Sequence, residues 1–293
     1  MAESRFDIVI FGATGFTGQF VVEEVARVSE EEGLTWAVAG RSMDKLQKVL
    51  TQASKMTGKE LEEKTILIAD TSNYESLLEM AKKAKVILNC VGPYRFYGEQ
   101  VVKASIEGGA SHLDISGEPQ YMEKMQLMYH GKAKESKVYV VSACGFDSIP
   151  AEYGILHALQ KFDGQVNSVE SYMEFHTGPE GAAINSGTLE SALYGFLHAG
   201  ELKSLRKSLF PEALPSFKHK ITKRSAFFKS DVINKWCTTF LGSDKSVIYR
   251  TQQYNHLEGK TKPVRYITNI LVKKTRKDDF FKILLTLSPS CKV

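Results

Sequence analysis

The sequence predicts an α/β fold, a doubly wound parallel sheet followed by a second, smaller mixed α/β domain. Three observations predict it. Six short apolar runs alternate with helical patterns over roughly the first half of the chain, and such alternation builds right-handed βαβ units on a parallel sheet. Three glycines, Gly12, Gly15 and Gly18, stand between the first run and the first helical pattern. Beyond about Lys161 the pattern turns to period-two alternation, the mark of a differently built sheet.

The elements follow in order. Residues 6–11 (FDIVIF) are β-branched and aromatic, stop at Gly12, and predict a buried strand. Phe16, Phe20, Val21, Val25 and Val28 recur at helical spacing. Residues 34–39 (LTWAVA) form the second strand, stopped by Gly40; Ser42 then caps a helix through Leu46, Val49 and Leu50. Residues 65–69 (TILIA) make the third strand, ending at Asp70, and residues 74–84 a helix. Residues 86–91 (VILNCV) make the fourth strand, 98–106 a helix, 111–116 (SHLDIS) the fifth strand. A helix over 119–136 opens with proline in its first turn. Residues 138–143 (VYVVSA) are the sixth strand, and a helix begins at Pro150. Residues 166–177, 247–254 and 264–272 alternate like antiparallel strands, and 201–242 is basic and aromatic without a clean period. The expected organisation is a dinucleotide-binding domain over 1–160, an incomplete second domain over 161–277 and an atypical tail over 278–293.

Composition narrows the class. A chain of 293 residues, 43% hydrophobic and 25% charged, is an ordinary globular protein with ample core, not a disordered, collagen-like or coiled-coil one. Cys90, Cys144, Cys237 and Cys291 form no CxxC pair, which argues against a disulfide framework or a cysteine-rich zinc site and for a reducing compartment. No N-x-S/T acceptor occurs, and the leader from Met1 to Asp7 lacks the features of a signal peptide. No run reaches the roughly 18–20 apolar residues of a membrane span; residues 280–287 are too few. The seven histidines show no metal-ligand spacing. The expectation is an intracellular protein, not a secreted one. The net charge of +4 hides 20 Lys and Arg against 7 Asp and Glu from Glu201 onward. That excess reads either as a solvated face or as attraction to anionic surfaces.

The glycines point to chemistry. In a strand–turn–helix setting Gly12 permits the tight turn, Gly15 lets a pyrophosphate approach the backbone, and Gly18 lets helix and strand pack closely. Thr14 and Phe16 complete the loop, and the helix N-terminus offers amide donors and a positive dipole end. A ligand-free tight turn is the plain alternative. At the end of the second strand, NAD sites place an acid for the ribose 2′-hydroxyl. This chain has Gly40-Arg41-Ser42. Arginine pairs a 2′-phosphate and serine adds a hydrogen bond, so NADP(H) is expected over NAD(H); a surface arginine at a helix start is the alternative. Asp70 either faces the adenine side or caps the next helix.

Three loops end neighbouring strands and should converge at the carboxyl edge. They are residues 89–98, with Asn89 and Gly92 against the cofactor, 114–118, and 143–148. Tyr94 and Tyr97 offer phenols as proton donors, although each such side chain alone also reads as a turn-former or cap. No Tyr-x-x-x-Lys pair, Gly-x-Ser-x-Gly elbow or His-Glu-x-x-His motif occurs, which argues against short-chain dehydrogenase acid chemistry, serine hydrolysis and zinc proteolysis.

Residues 11–18 (FGATGFTG), 37–42 (AVAGRS), 89–94 (NCVGPY) and 145–150 (GFDSIP) together resemble the animal saccharopine dehydrogenase-like oxidoreductase family, from about Phe6 to about Val272. The resemblance implies a Rossmann domain, a nicotinamide cofactor, a mixed second domain, and lipid-droplet or membrane association; relatives include enoyl reductases of lipid synthesis. It does not imply saccharopine as substrate. Family members run on for about a hundred further residues, so this chain reads as shortened, with activity and membrane insertion in question. Two functional readings follow. One is an NADP(H)-dependent oxidoreductase acting on a lipid-linked carbonyl or enoyl compound. The other is an inactive nucleotide-binding scaffold on lipid-droplet or membrane surfaces. A homo-oligomer is left open, and no nucleic-acid motif is present.

Overall fold

A computed structural model describes residues 4–176, 178–180, 185–215, 224–240, 242–260 and 262–271. The chain divides into two compact units, Met1–Pro150 with Ala183–Ala213, and Ala151–Ala182 with Leu214–Val293.

The first unit carries six strands, β1 (Phe6–Phe11), β2 (Trp36–Gly40), β3 (Ile66–Ile68), β4 (Ala84–Asn89), β5 (Ser111–Asp114) and β6 (Val140–Val141). Their order is β3-β2-β1-β4-β5-β6, every pair parallel. This is the doubly wound order in which a dinucleotide binds where the winding reverses, beside β1 and β4. Helices α1 (Phe16–Val28) and α2 (Met43–Thr57) follow β1 and β2. One apolar layer joins them to the sheet through Ile10, Val22, Trp36, Val38, Leu46 and Leu50. Helices α3 (Tyr74–Lys82) and α4 (Tyr94–Gly108) cover the other face, around Val9, Phe11, Leu77, Ile87 and Val101. The sheet is buried on both faces there, so its strands read as continuous apolar runs. Trp36 satisfies its indole N–H on Ser29 Oγ at 3.1 Å.

Helix α5 (Pro119–Glu135) leads into β6, which is shorter than the expected 138–143. The reason is local. Tyr139 N bonds Ser111 Oγ instead of a backbone carbonyl, and beyond Val141 the side chain of Ser142 and the amide of Ala143 turn to Asp114.

Helices α7 (Ser186–Leu197) and α8 (Glu201–Leu209) belong to the first unit, not to the second domain in which the sequence reading placed them. Side-chain bonds tie them to α5. Gln120 Nε2 donates to Gly195 O at 3.0 Å, and Arg206 grips the fully buried carboxylate of Glu123 with three N···O distances of 2.7–3.0 Å. A charge buried at this depth needs such a partner.

In the second unit, β7 (Ser168–Met173), β8 (Phe227–Lys229), β9 (Trp236–Thr239) and β10 (Arg265–Leu271) form a mixed sheet ordered β7-β10-β9-β8. Helix α6 (Ile149–Lys161) starts at the boundary between the units. Two expectations are corrected. Residues 166–177 read as antiparallel, yet β7 pairs parallel with β10; side-chain alternation reports a half-buried strand, not its partner's direction. Residues 247–254 are not a strand but lie within helix α9 (Asp244–Leu257). The amide of Val247 bonds Ser243 O to open that helix, and Gly259, at φ +64°, follows its end, where only glycine is unstrained. The tail, including residues 280–287, lies outside the described residues. Among the described residues no helix is long and apolar enough to cross a membrane.

Candidate functional site

The glycine loop is built by steric exclusion. Gly12 turns at φ +82°, and a Cβ there would meet Val91 Cγ2 at 2.6 Å. A Cβ on Gly18 would sit 2.1 Å from Gly12 O and 2.9 Å from Ala13 Cα, so only glycine lets α1 approach β1 this closely. Gly15 is the N-cap of α1, without a side-chain cap and without an acid in the first turn. The helix N-terminus therefore meets an incoming phosphate with backbone amides and its positive dipole end. Thr14 and Phe16 flank this cap; Phe16 is exposed and packs edge-on against Phe20.

Gly40 ends β2 in the core, Arg41 is exposed, and Ser42 caps α2 by accepting from Lys45 N at 3.5 Å. Asp70 does not cap α3, since Asn73 does so through Ser76 N. The Asp70 carboxylate accepts from Ser72 N and Ser72 Oγ, each at 2.9 Å. Those bonds, with the Arg41 charge as a lesser cause, hold its carboxyl below the usual range. Arg41 and Asp70 thus stand at the carboxyl ends of β2 and β3, within electrostatic reach of each other. An open N-terminus at α1 and a cation beyond β2 with no acid in its place fit a 2′-phosphorylated dinucleotide.

The other half of the edge is organised by buried carboxylates that no motif announced. Asp114, at the end of β5, accepts from Ser116 N, Ala143 N, Tyr121 Oη and Ser142 Oγ at 2.9–3.1 Å. Glu118 accepts from Tyr94 N at 2.8 Å, Arg95 N at 3.0 Å and Ser191 Oγ at 3.0 Å. It thereby supplies the cap that Pro93, with no side-chain donor or acceptor, leaves missing at α4. These bonds bring the three expected loops together. The loop after β6 holds two buried non-glycine residues at positive φ, Ala143 (+62°) and Ser148 (+153°), backbone strain of the kind that collects at functional sites.

Asn89 is buried, and its side chain is spent on the protein. Oδ1 accepts from Val91 N at 3.0 Å, which leaves Nδ2 to donate to His112 Nε2 at 3.2 Å. With Nε2 accepting, His112 carries its proton on Nδ1, which lies 3.8 Å from Asp114 Oδ2. Complete burial keeps this imidazole neutral by pushing its pKa down.

The two phenols part ways. Tyr94 is buried, donates to Asn89 O at 2.8 Å, and has its pKa pushed far up by burial. It holds the loop rather than facing a reactant. Tyr97 is exposed in the first turn of α4. Gly92 is exposed beside the Tyr94 ring, and Cys90 is a partly buried thiol pushed up to about 12 by burial. Among the described residues no group of three or more His, Cys, Asp or Glu is placed to hold a metal ion.

Known proteins resemble this chain in sequence. Residues 8–141 match the family model described as the saccharopine dehydrogenase NADP binding domain. A saccharopine dehydrogenase-like oxidoreductase of Rattus norvegicus is 49% identical over 273 residues, 91% of this chain and 64% of that one. The chain is related to the saccharopine dehydrogenase-like oxidoreductases over most of its length. Its dinucleotide domain is of the NADP-binding type. A Caenorhabditis elegans relative named lipid droplet localized protein is 45% identical over 91% of this chain and 64% of its own length. A trans-acting enoyl reductase homologue of Mycobacterium tuberculosis is 38% identical over 54% of this chain and 37% of its own length. The chain thus spans about 64% of the length of its animal relatives.

Proposed function

We propose that this chain is an NADP(H)-dependent oxidoreductase that reduces a lipid-linked carbonyl or enoyl compound. The observation that carries the reading is the pairing of the Gly12–Gly18 cradle at an open α1 N-terminus with Arg41 at the end of β2, where an acid would select NAD. When bound, the nicotinamide supplies the hydride. Gly12, Gly15 and Gly18 admit the pyrophosphate to the amides of α1, and Arg41 and Ser42 hold the 2′-phosphate. Asn89, Asp114 and Glu118 fix the loops around the carboxyl edge. Tyr97, exposed in the first turn of α4, would give the proton that completes the reduction, a role its exposure supports. The enoyl reductase name of the mycobacterial relative and the lipid-droplet name of the nematode one support the substrate class.

A second reading keeps the nucleotide and drops the turnover, making the chain a scaffold on lipid surfaces. The observation favouring it is Tyr94, whose phenol is buried and engaged with Asn89 O. NADPH and NADH thermal-shift titrations test the shared part. Consumption of NADPH with a lipid extract separates the readings: turnover establishes the enzyme, and saturating NADPH binding with no turnover establishes the scaffold.

A further inference from the structure

A cavity of about 410 Å³ opens in the first unit between α4, α5 and α8, within the range of about 300–1,000 Å³ in which proteins hold small molecules. Among the described residues four charged side chains border it, and two of them are spent on each other: Lys124 Nζ donates to Glu99 Oε2 at 2.8 Å. Arg95 and Glu201 are not spent in this way. Their closest N···O distance is 3.6 Å, an ion pair too long for a hydrogen bond. The Arg95 side chain is only 15% exposed, yet its guanidinium makes no hydrogen bond among the described residues and lies over the Tyr194 ring at 5.5 Å. A cation so little hydrated needs acceptors for its five N–H groups. Acceptors, in turn, stand without donors on the facing wall. Ser204 Oγ donates to Glu201 O at 3.0 Å and Ser208 Oγ to Ser204 O at 3.3 Å, so both hydroxyl protons are used within α8 and both oxygens can still accept. Gln120, also on the wall, gives Nε2 to Gly195 O, and its buried Oε1 has no hydrogen-bond partner. Met125, Leu127 and Leu205 supply the apolar part of the lining.

We propose that this cavity binds a phosphodiester carrying a primary ammonium group, a zwitterion of the kind found at the head of an aminophospholipid or in the free glycerophosphoester. Arg95 takes the phosphate, because the guanidinium fork matches paired phosphate oxygens. Glu201 and the hydroxyl oxygens of Ser204 and Ser208 take the ammonium, whose three N–H groups meet acceptors that a quaternary ammonium leaves unpaired. The two charges of the wall that lack hydrogen bonds are opposite in sign. A ligand with one charge of each sign matches both, whereas a bare phosphate meets Glu201 and a bare amine meets Arg95. Met125, Leu127 and Leu205 give the glycerol and the carbons beyond it a surface to cover, which an amino acid is too small to use. The site shares no residue with the Gly12–Gly18 cradle and does not rest on the oxidoreductase reading.

The test titrates the full chain with sn-glycero-3-phosphoethanolamine by calorimetry, beside glycerol 3-phosphate, ethanolamine, sn-glycero-3-phosphocholine and β-alanine. The expected result is saturable binding of the first probe, about tenfold or more tighter than each of the others. Arg95→Gln weakens it about tenfold or more. Glu201→Gln, at a side chain 55% exposed that the fold does not depend on, also weakens it but leaves glycerol 3-phosphate unchanged or tighter, a divergence that general damage would not produce; it decides the matter if Arg95→Gln does not fold. No binding, equal binding of any comparison compound, or unchanged affinity in either folded variant overturns the proposal. So does displacement of the probe by NADP+, which places it in the cofactor cradle. Flotation with phosphatidylcholine vesicles, with and without phosphatidylethanolamine, then names the source. Binding to the mixed vesicles that Glu201→Gln abolishes assigns a lipid headgroup, binding of the soluble probe alone assigns the free phosphoester, and both uphold the site.

Discussion

Substituting Gly18 by alanine tests whether backbone proximity builds the phosphate cradle. The added Cβ would lie 2.1 Å from Gly12 O and 2.9 Å from both Gly12 C and Ala13 Cα. A comfortable carbon–oxygen separation is about 3.5 Å, so the start of α1 must retreat from the β1 turn by roughly 1.4 Å. No side chain can swing aside to relieve the three nearest contacts, because all three are backbone. The cost therefore falls in the upper part of the overpacking range, about 2–3 kcal/mol, partly offset by alanine's better helix propensity, just under about 1 kcal/mol. A net loss of about 1–2 kcal/mol lowers Tm by about 2–8 °C in a protein of this size. The amides of the first α1 turn retreat by the same distance, and NADPH affinity should drop about tenfold or more, as misplacement on the ångström scale does. Gly131→Ala is the matched control. It lies inside α5 with nothing within 4 Å of its would-be Cβ, and should gain about 0.5–1 kcal/mol with NADPH binding unchanged. Thermal scans and fluorescence titration of NADPH read both variants. If Gly18→Ala keeps wild-type Tm and affinity, the close approach of α1 to β1 is not what forms the site.

Other outcomes follow from the same structure. Arg41→Asp should reverse a preference for NADPH over NADH, by about 1–3 kcal/mol, in parallel titrations; equal affinities in the unmodified chain would refute the assignment of Arg41. Asp114→Asn turns an amide toward hydroxyls and amides that now donate to a carboxylate, and should cost about 2–3 kcal/mol in urea unfolding, whereas Tyr121→Phe removes one of those bonds and should cost about 1 kcal/mol. His112 is held neutral with its folded pKa below the unfolded value near 6.5. Its stabilising contribution is thus complete above that unfolded value and is lost as pH falls through the window below it. In denaturation measured across that window His112→Asn should flatten the slope by up to about 1.4 kcal/mol per pH unit. Arg206→Met takes the cation from a carboxylate shut away from water and should destabilise by about 3 kcal/mol. Amide exchange over 186–209 should rise first, since that pair fastens α8 to α5.

The first half of the fold was open to reading because its physics is local. Strands buried on both faces give uninterrupted apolar runs, as in residues 6–11 and 36–40, and glycine spacing records where backbones touch. The second half was less open. Helix α7 had a readable start, with Asn185 accepting from Gly187 N, and apolar residues Leu189, Leu193, Phe196 and Leu197 at helical spacing. Helix α9 was hidden by the β-branched and aromatic residues Val247, Ile248 and Tyr249, whose strand propensity yields to tertiary context. The pairing of Arg206 with Glu123 joins residues 83 apart, and nothing local announces such a contact. Asp114 and Glu118 were visible as acids at the end of the fifth strand, but their work is to accept amides from three separate loops, which only the folded chain reveals.

The division of labour along the sheet edge follows from what each ligand part offers. A pyrophosphate carries charge and acceptor oxygens, so bare amides and a helix dipole suffice, and the residues that matter at β1 are those without side chains. At β4, β5 and β6 the amides are instead consumed internally: those of Val91, Tyr94, Arg95, Ser116 and Ala143 go to Asn89, Glu118 and Asp114. Those loops therefore present few donors outward, and their exposed surface is Phe96, Tyr97, Phe146 and Ile149. One edge of one sheet is thus polar through its backbone at the cofactor end and apolar through its side chains at the other. Under the proposed function, such an edge would set hydride delivery among hydrocarbon surroundings, with the exposed phenol of Tyr97 as the proposed proton donor.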